Sequence, residues 1–449
     1  MQRHQETSLD LSIVLDTEST SSASASLIVA GRKASQKKPK KTPTTNVEGA
    51  PDYGTEDRAQ MCKLRLAALD QSRGMPHIDD GAPMMMAAAI AGAPQPVAPV
   101  AGASNWVQLG PTAIPNGQTY GGSRVLVTGR VTSIVVDPTA PNTIYVATAQ
   151  GGIWKTINGG VSWVATSDNE MSLAIGALVM DPGNHLVLYA GTGEGNFSGD
   201  SYYGNGVLKT TNGGASWTAL ATPTFAGTRF SRIAVTPVTT SRLFAATGAG
   251  VFRSTNGGVN WSLMSSGTPG GGMATDVVID PATPTTVYAS FWGQGIYKCT
   301  NAAAATPTWT KLTSGLPASG FTRIALGISP SSPLTLYALI ADGSYSINGF
   351  FRTTNGGASW TAVPLPAGNI GGQGFYNLNV AVDPSTPDIV YLSGVSLWKA
   401  TRSGAGVWTI TNIGGAFHPD NHALAFDPIS HSKIYAGSDG GIYKSVDGG

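Results

Sequence analysis

Along most of the chain, apolar and polar positions alternate in short runs punctuated by turn residues. Seven runs end alike, two apolar residues flanking a small one: Ile134-Val135-Val136, Leu178-Val179-Met180, Ile233-Ala234-Val235, Val277-Val278-Ile279, Leu326-Gly327-Ile328, Val380-Ala381-Val382 and Leu424-Ala425-Phe426. A period of two predicts strands, and the small middle residue suits an inner strand squeezed between neighbours. A turn follows each run. It is Asp-Pro at 137, 181, 280, 383 and 427, with Thr236-Pro237 and Ser329-Pro330 as degenerate copies. Eight residues beyond each turn's first residue stands an aromatic: Tyr145, Tyr189, Phe244, Tyr288, Tyr337, Tyr391 and Tyr435. Successive turns lie 44 to 55 residues apart, which is the spacing of propeller blades and too long for leucine-rich or ankyrin units.

Each unit reads as four strands: the apolar run, the strand carrying the aromatic, a third such as Gly152-Ile153-Trp154-Lys155, and a fourth. Between third and fourth lies a recurring nonapeptide, seen at Lys155–Trp163, Lys209–Trp217, Arg253–Trp261 and Arg352–Trp360. In it a hydroxyl residue is followed two places on by Asn (Asn158, Asn212, Asn256, Asn355), then by two glycines, and it ends on Trp163, Trp217, Trp261 or Trp360. The Asn amide can bond the turn's own backbone, the glycines supply positive φ, and the Trp enters the next strand as a large core anchor. The last copy, Ser445-Val446-Asp447-Gly448-Gly449, carries Asp447 at the locking position.

This pattern resembles the Asp-box, or BNR repeat, of sialidases, two-propeller xyloglucanases and sortilin-type receptor domains, and the resemblance covers about the last three-quarters of the chain. It implies an all-β fold, a seven-bladed β-propeller of four-stranded blades over residues 101–449. It implies little about activity, since fold and function separate readily. In the xyloglucanases a catalytic Asp lies in a Thr-Asp-x-Gly-Gly segment; here Thr148-Ala149-Gln150-Gly151-Gly152 puts Ala149 in its place. Sialidases use six blades, an arginine triad and an early Arg-Ile-Pro, which Ser231-Arg232-Ile233-Ala234 only echoes.

Composition agrees with a turn-rich β protein: 58 Gly, 28 Pro and 12% charged residues in 449. A net charge of +1 provides no field for nucleic acid or an anionic membrane, and no apolar run approaches a membrane span. Cys62 and Cys299 are too few for a disulfide framework. Residues 1–100 differ in kind: polar at 19–26, basic and Pro-broken at 33–41, Ala/Pro-rich at 91–101. A largely disordered N-terminal region is expected, with a short helix at 56–72. Although no secretory signal is visible, the resemblance and the Lys/Glu-poor repeats point to a secreted or cell-surface protein. The chain stops inside a turn, and Gly102-Ala103-Ser104-Asn105-Trp106 reads like its continuation. Either the N-terminal strand around Trp106 completes the last blade, or the sequence is a fragment.

Candidate chemistry falls on the face opposite the Asn-Gly-Gly turns, where insertions gather. Blade two carries the largest, Gly191–Gly204, with Glu194, Asp200, Phe197, Tyr202 and Tyr203. Paired carboxylates supply acid and base for glycoside cleavage, and aromatic faces stack on sugars. Blade five adds Asp342 and Tyr345. His418-Pro419-Asp420-Asn421-His422 opens the inner strand of blade seven; at alternate positions of an extended segment His418, Asp420 and His422 would share one side, a geometry that can ligate a metal or orient a carboxylate. Hydrogen-bonded structural histidines are the expectation, with no metal and no cofactor. Arg232 and Asp276, equivalent in adjacent blades, are placed to pair. The expected function is a monomeric module binding a glycan or protein ligand. The alternatives are a glycoside hydrolase using Glu194 or Asp200 with Asp420, and a scaffold.

Overall fold

The computed structural model describes residues 107–110, 127–265, 272–366, 371–415 and 417–449. The helix expected at 56–72 and Trp106 lie outside them. Seven antiparallel sheets follow one another along the chain. The first strands are Val131–Val136, Ile175–Asp181, Phe230–Val235, Ala274–Ile279, Phe321–Ile328, Asn379–Val382 and Asn421–Phe426. Each packs beside the first strand of the next blade, and that of blade seven packs beside that of blade one. The result is a closed seven-bladed propeller whose first strands surround a central channel. The fourth strand of blade seven is Val107–Gly110, pairing antiparallel with Gly441–Ser445 through Val107 opposite Lys444 and Gln108 opposite Tyr443. Blade two departs from four strands. A short helical turn, Thr222–Phe225, leads to an extra strand, Ala226–Thr228, beside the start of its third strand.

The small residue in each apolar run sits where blades press together. At Gly327 an added Cβ would lie 2.7 Å from Val380 Cγ1 of the next blade. Second strands are buried throughout, as in Ile144–Thr148, Leu243–Thr247, Val287–Phe291 and Ile434–Ser438. Their aromatics Tyr145, Tyr189, Phe244, Tyr288, Tyr337 and Tyr435 are among the largest fully buried side chains.

The nonapeptide forms the same turn each time. In blade two Thr210 Oγ1 donates to Asn212 Oδ1 (2.8 Å) and accepts from Gly214 N (3.0 Å), while Asn212 Oδ1 accepts from Ser216 N (3.0 Å). Gly213 and Gly214 sit at φ +66° and +84°, where a side chain would be strained. Asn158 and Asn355 repeat these bonds, Asn256 accepts from Asn260 N, and Asp447 accepts from Ser445 Oγ. Trp217 and Trp360 are buried, and Trp163 and Trp261 partly so. The fourth strands begin one residue after each Trp, so the Trp closes the turn. Blade four carries a copy stretched by an insertion, in which Cys299 takes the hydroxyl's seat with its Sγ 3.3 Å from Asn301 Oδ1.

The spacing from aromatic to nonapeptide also has a physical cause. The aromatic lies across the strand pair from the nonapeptide's first residue: Tyr145 opposite Lys155, Tyr288 opposite Lys298, Tyr391 opposite Lys399. Both then reach the next blade's turn. Tyr145 Oη and Lys155 Nζ donate to Gly213 O (3.0 and 2.8 Å), Tyr288 and Lys298 to Gly356 O (3.1 and 2.8 Å), Tyr391 and Lys399 to Gly448 O (3.1 and 2.9 Å). Lys209 reaches Gly257 O, Arg253 reaches Ala302 O, and Tyr337 reaches Pro387 O. Six seams are therefore stapled on the turn face.

Candidate functional site

On the opposite, loop face one guanidinium of blade one gathers groups from three other blades. Arg130, just before the first strand of blade one, donates through Nη1 to both Glu194 oxygens (2.7 and 2.8 Å), through Nη2 to Asp200 (2.8 Å) and through Nε to Asp439 (3.2 Å). It also lies 5.1 Å from the Tyr376 ring centroid. Tyr376 Oη donates to Asp439 (2.6 Å), and His422 Nε2 lies 2.7 Å from the same carboxylate. Glu194 has no exposed surface, and Asn196 adds a hydrogen bond to it at 2.9 Å. Burial works against the charges of Asp200 and Asp439. Ser198 and Arg130 nonetheless hold Asp200 below the usual carboxylate range, and His422, Arg130 and Tyr376 do the same for Asp439.

The structure therefore brings Glu194, Asp200 and His422 into one network. His418 and Asp420 have other partners. Asp420 has φ +63°, which takes it out of the extended conformation, so the three residues do not alternate along one strand face. Its carboxylate accepts from Asn377 Nδ2 (2.7 Å), while His418 Nδ1 lies 2.9 Å from Pro419 O. Burial, assisted by the charge of Asp439, pushes the Asp420 carboxyl above its ordinary range against the pull of His422 and Asn377. Among the described residues no cluster of His, Cys, Asp and Glu has the geometry to hold a metal ion. Arg232 and Asp276 do pair, at 2.7 Å.

The blade-two insertion runs over the channel. Phe197, at φ +55°, packs edge-on against Trp292 of blade four (5.3 Å) and beneath the guanidinium of Arg323 of blade five (5.3 Å). Tyr202 and Tyr203 face outward, 41% and 50% exposed, and Arg229 lies 4.2 Å from the Tyr203 ring centroid. The same stretch thus presents aromatics to solvent while Glu194 turns inward and Asp200 stays at the rim. In blade five Asp342 closes its own loop by accepting from Ser344 and Ser346, and Tyr345 packs on Phe375.

Sequence reasoning missed Arg130, Asp439, Tyr376 and Arg323. One signal was available for Asp439. Four residues beyond Tyr435, it occupies in blade seven the register that Ala149 occupies beyond Tyr145 in blade one. Ala149 itself is buried, its N–H donating to Arg130 O at 3.0 Å.

No family profile matches the chain, and no curated protein does. Among solved structures it is similar to the GH74 enzyme of Niastella koreensis, with 25% identity over 74% of this chain and 54% of that one and a TM-score of 0.55. The GH74 xyloglucanase of Xanthomonas campestris gives 22% identity over 76% and 53%, with a TM-score of 0.57. YCF48 bound to D1 peptide gives 14% over 78% and 99%, with a TM-score of 0.52. The chain spans about half the length of these GH74 proteins. The likeness shows the propeller fold.

Proposed function

We propose that this propeller is an exported, non-catalytic recognition module of the Asp-box type that binds a glycan on its loop face, with Tyr202 and Tyr203 as the stacking surface. One observation carries the proposal. Within the blade-two insertion Arg130 binds both carboxylates, Ser198 takes the other Asp200 oxygen, and Tyr202 and Tyr203 are the aromatic surface open to solvent. A general acid or base must reach its substrate with an oxygen to spare, and both Glu194 oxygens are held by Arg130. Tyrosine faces backed by a guanidinium suit sugar rings, whose C–H faces stack on aromatics.

A specific feature favours a second reading, a glycoside hydrolase. Asp420 and Asp439 are joined through Asp439 N to Asp420 O at 3.2 Å, and their surroundings push the two carboxyls in opposite directions. Such divergence marks acid and base partners in glycosidases. A glycan-array and polysaccharide-hydrolysis screen on the full chain separates the two. Binding without turnover, weakened at least about tenfold (about 1.4 kcal/mol) by Tyr202→Ala or Tyr203→Ala, is expected. Turnover abolished by Asp420→Asn or Asp439→Asn overturns the recognition module. Binding of protein but of no glycan overturns the ligand class.

A further inference from the structure

Beneath the blade-two insertion the channel encloses about 470 Å³, lined by first strands of all seven blades. Gly195 and Asn196 form part of its lining toward the insertion, and it extends to Pro138 and Pro182 in the first-to-second-strand turns. Pro138 and Pro182 are exposed, so the cavity reaches solvent on the turn face, away from Tyr202 and Tyr203. Its volume falls within the range of small-molecule sites.

Arg323 lines this cavity at 7% exposure, and it is the one buried arginine among the described residues. No carboxylate pairs with it. Its Nη1 donates to the carbonyls of Phe375 (2.9 Å) and Tyr376 (2.7 Å), and Phe197 covers its face. Burial lowers its pKa to about 10, which still leaves it charged at neutral pH. What remains is the Nε–Nη2 edge. That edge makes no hydrogen bond to the described residues, and neither atom is among the buried polar atoms left without a partner, so it faces the cavity. Two parallel N–H donors match the two oxygens of a carboxylate. Of the buried acids whose charges act on Arg323, Asp276 is already engaged by Arg232 and by Leu326 N, and Glu194 by Arg130.

We infer that the channel is a binding site for a small organic carboxylate, which enters from the turn face and is held by the Nε–Nη2 edge of Arg323. Ser231 and Thr275 line the same cavity, but their hydroxyls donate to Ala274 O and Ile324 O, so the charged hydrogen bonds to the ligand come from Arg323. A di-acid of succinate size fits the volume, with its first carboxylate on Arg323.

Isothermal titration of the full chain with succinate, with acetate and inorganic phosphate as comparison arms, tests this. Saturable succinate binding is expected, weakened at least about tenfold (about 1.4 kcal/mol) in Arg323→Gln and in Ser231→Phe, which leaves Arg323 in place and fills the channel. If Arg323→Gln does not fold, Ser231→Phe decides alone. Absence of saturable succinate binding by the wild-type chain, or unchanged affinity in a folded variant, overturns the site. Phosphate bound more tightly than succinate overturns the carboxylate class.

Discussion

Six of the seven seams between blades differ from the seventh. From blade one to blade seven each seam is stapled on the turn face by a side chain reaching the next blade's turn, as Tyr145 and Lys155 reach Gly213. Between blades seven and one no such bond joins Tyr435 to Gly159, and the charged group beside Tyr435 is Lys433 of its own blade. That seam is held on the loop face instead. Thr128 N donates to Gly440 O at 2.9 Å, and Arg130 binds Asp439 of blade seven while also holding Glu194 and Asp200 of blade two. Repetition supplies the first kind of seam cheaply, because each lock is the same local motif. Closing the ring called for a lock of a different chemistry.

The largest expected effect follows from breaking that lock. Arg130→Ala leaves the buried Glu194 carboxylate without the cation bonded to it, at a cost of about 3–5 kcal/mol. Denaturation should show it, and amide exchange should rise first at 127–131 and 438–441. Equal loss of protection across all seams would remove the distinction. Arg130→Lys should recover little, since one ammonium cannot bridge three carboxylates in the guanidinium's planar geometry.

A smaller effect distinguishes the two aspartates beside that lock. Asp439 is depressed in the fold, so its contribution is present above the ordinary carboxylate pKa of about 3.9 and is lost as pH falls through its lower folded value. Asp420 is raised, so its contribution is full below that ordinary value and is lost as pH rises through the folded one. Asp439→Asn should therefore destabilise by about 1–3 kcal/mol at neutral pH and lose its deficit in acid. Asp420→Asn, which mimics the protonated form, should equal or exceed wild type at neutral pH and converge with it in acid. Denaturation midpoints from about pH 3 to 7 check both, and parallel profiles would contradict the opposed shifts.

The smallest effect sharpens the repeat side of the comparison. Asn212→Ala and Asn355→Ala each remove the same turn bonds and should each cost about 1 kcal/mol, equal within about 0.5 kcal/mol for independent sites. Unequal costs in urea melts would show that context matters within the repeat as well.

The difference between the seams also explains what could be read beforehand. Turn bonds such as Asn212 to Ser216 span four residues, so their chemistry is spelled out in contiguous sequence. Blade number and strand order followed from period and spacing for the same reason. Arg130 meets Asp439 across 309 positions, and nothing local to Arg130 marks it as a hub. The insertion's residues were identifiable, but not that Arg130 binds both of its acids and that Glu194 is buried, because that depends on a cation from another blade. Alternation failed at His418-Asp420-His422 because a single positive φ at Asp420 redirects the chain.

Each staple made by the second-strand tyrosine or the basic residue opposite it is given by one blade and received by the following one. A stretch running from one aromatic to the next thus carries one half of two different locks. Tandem duplication of such a stretch would add a unit already compatible with both neighbours, so the number of units is limited by the angle at which they pack. The pair that meets last is exempt from this inheritance, and there an arginine that reaches three carboxylates takes the place of the repeated lock.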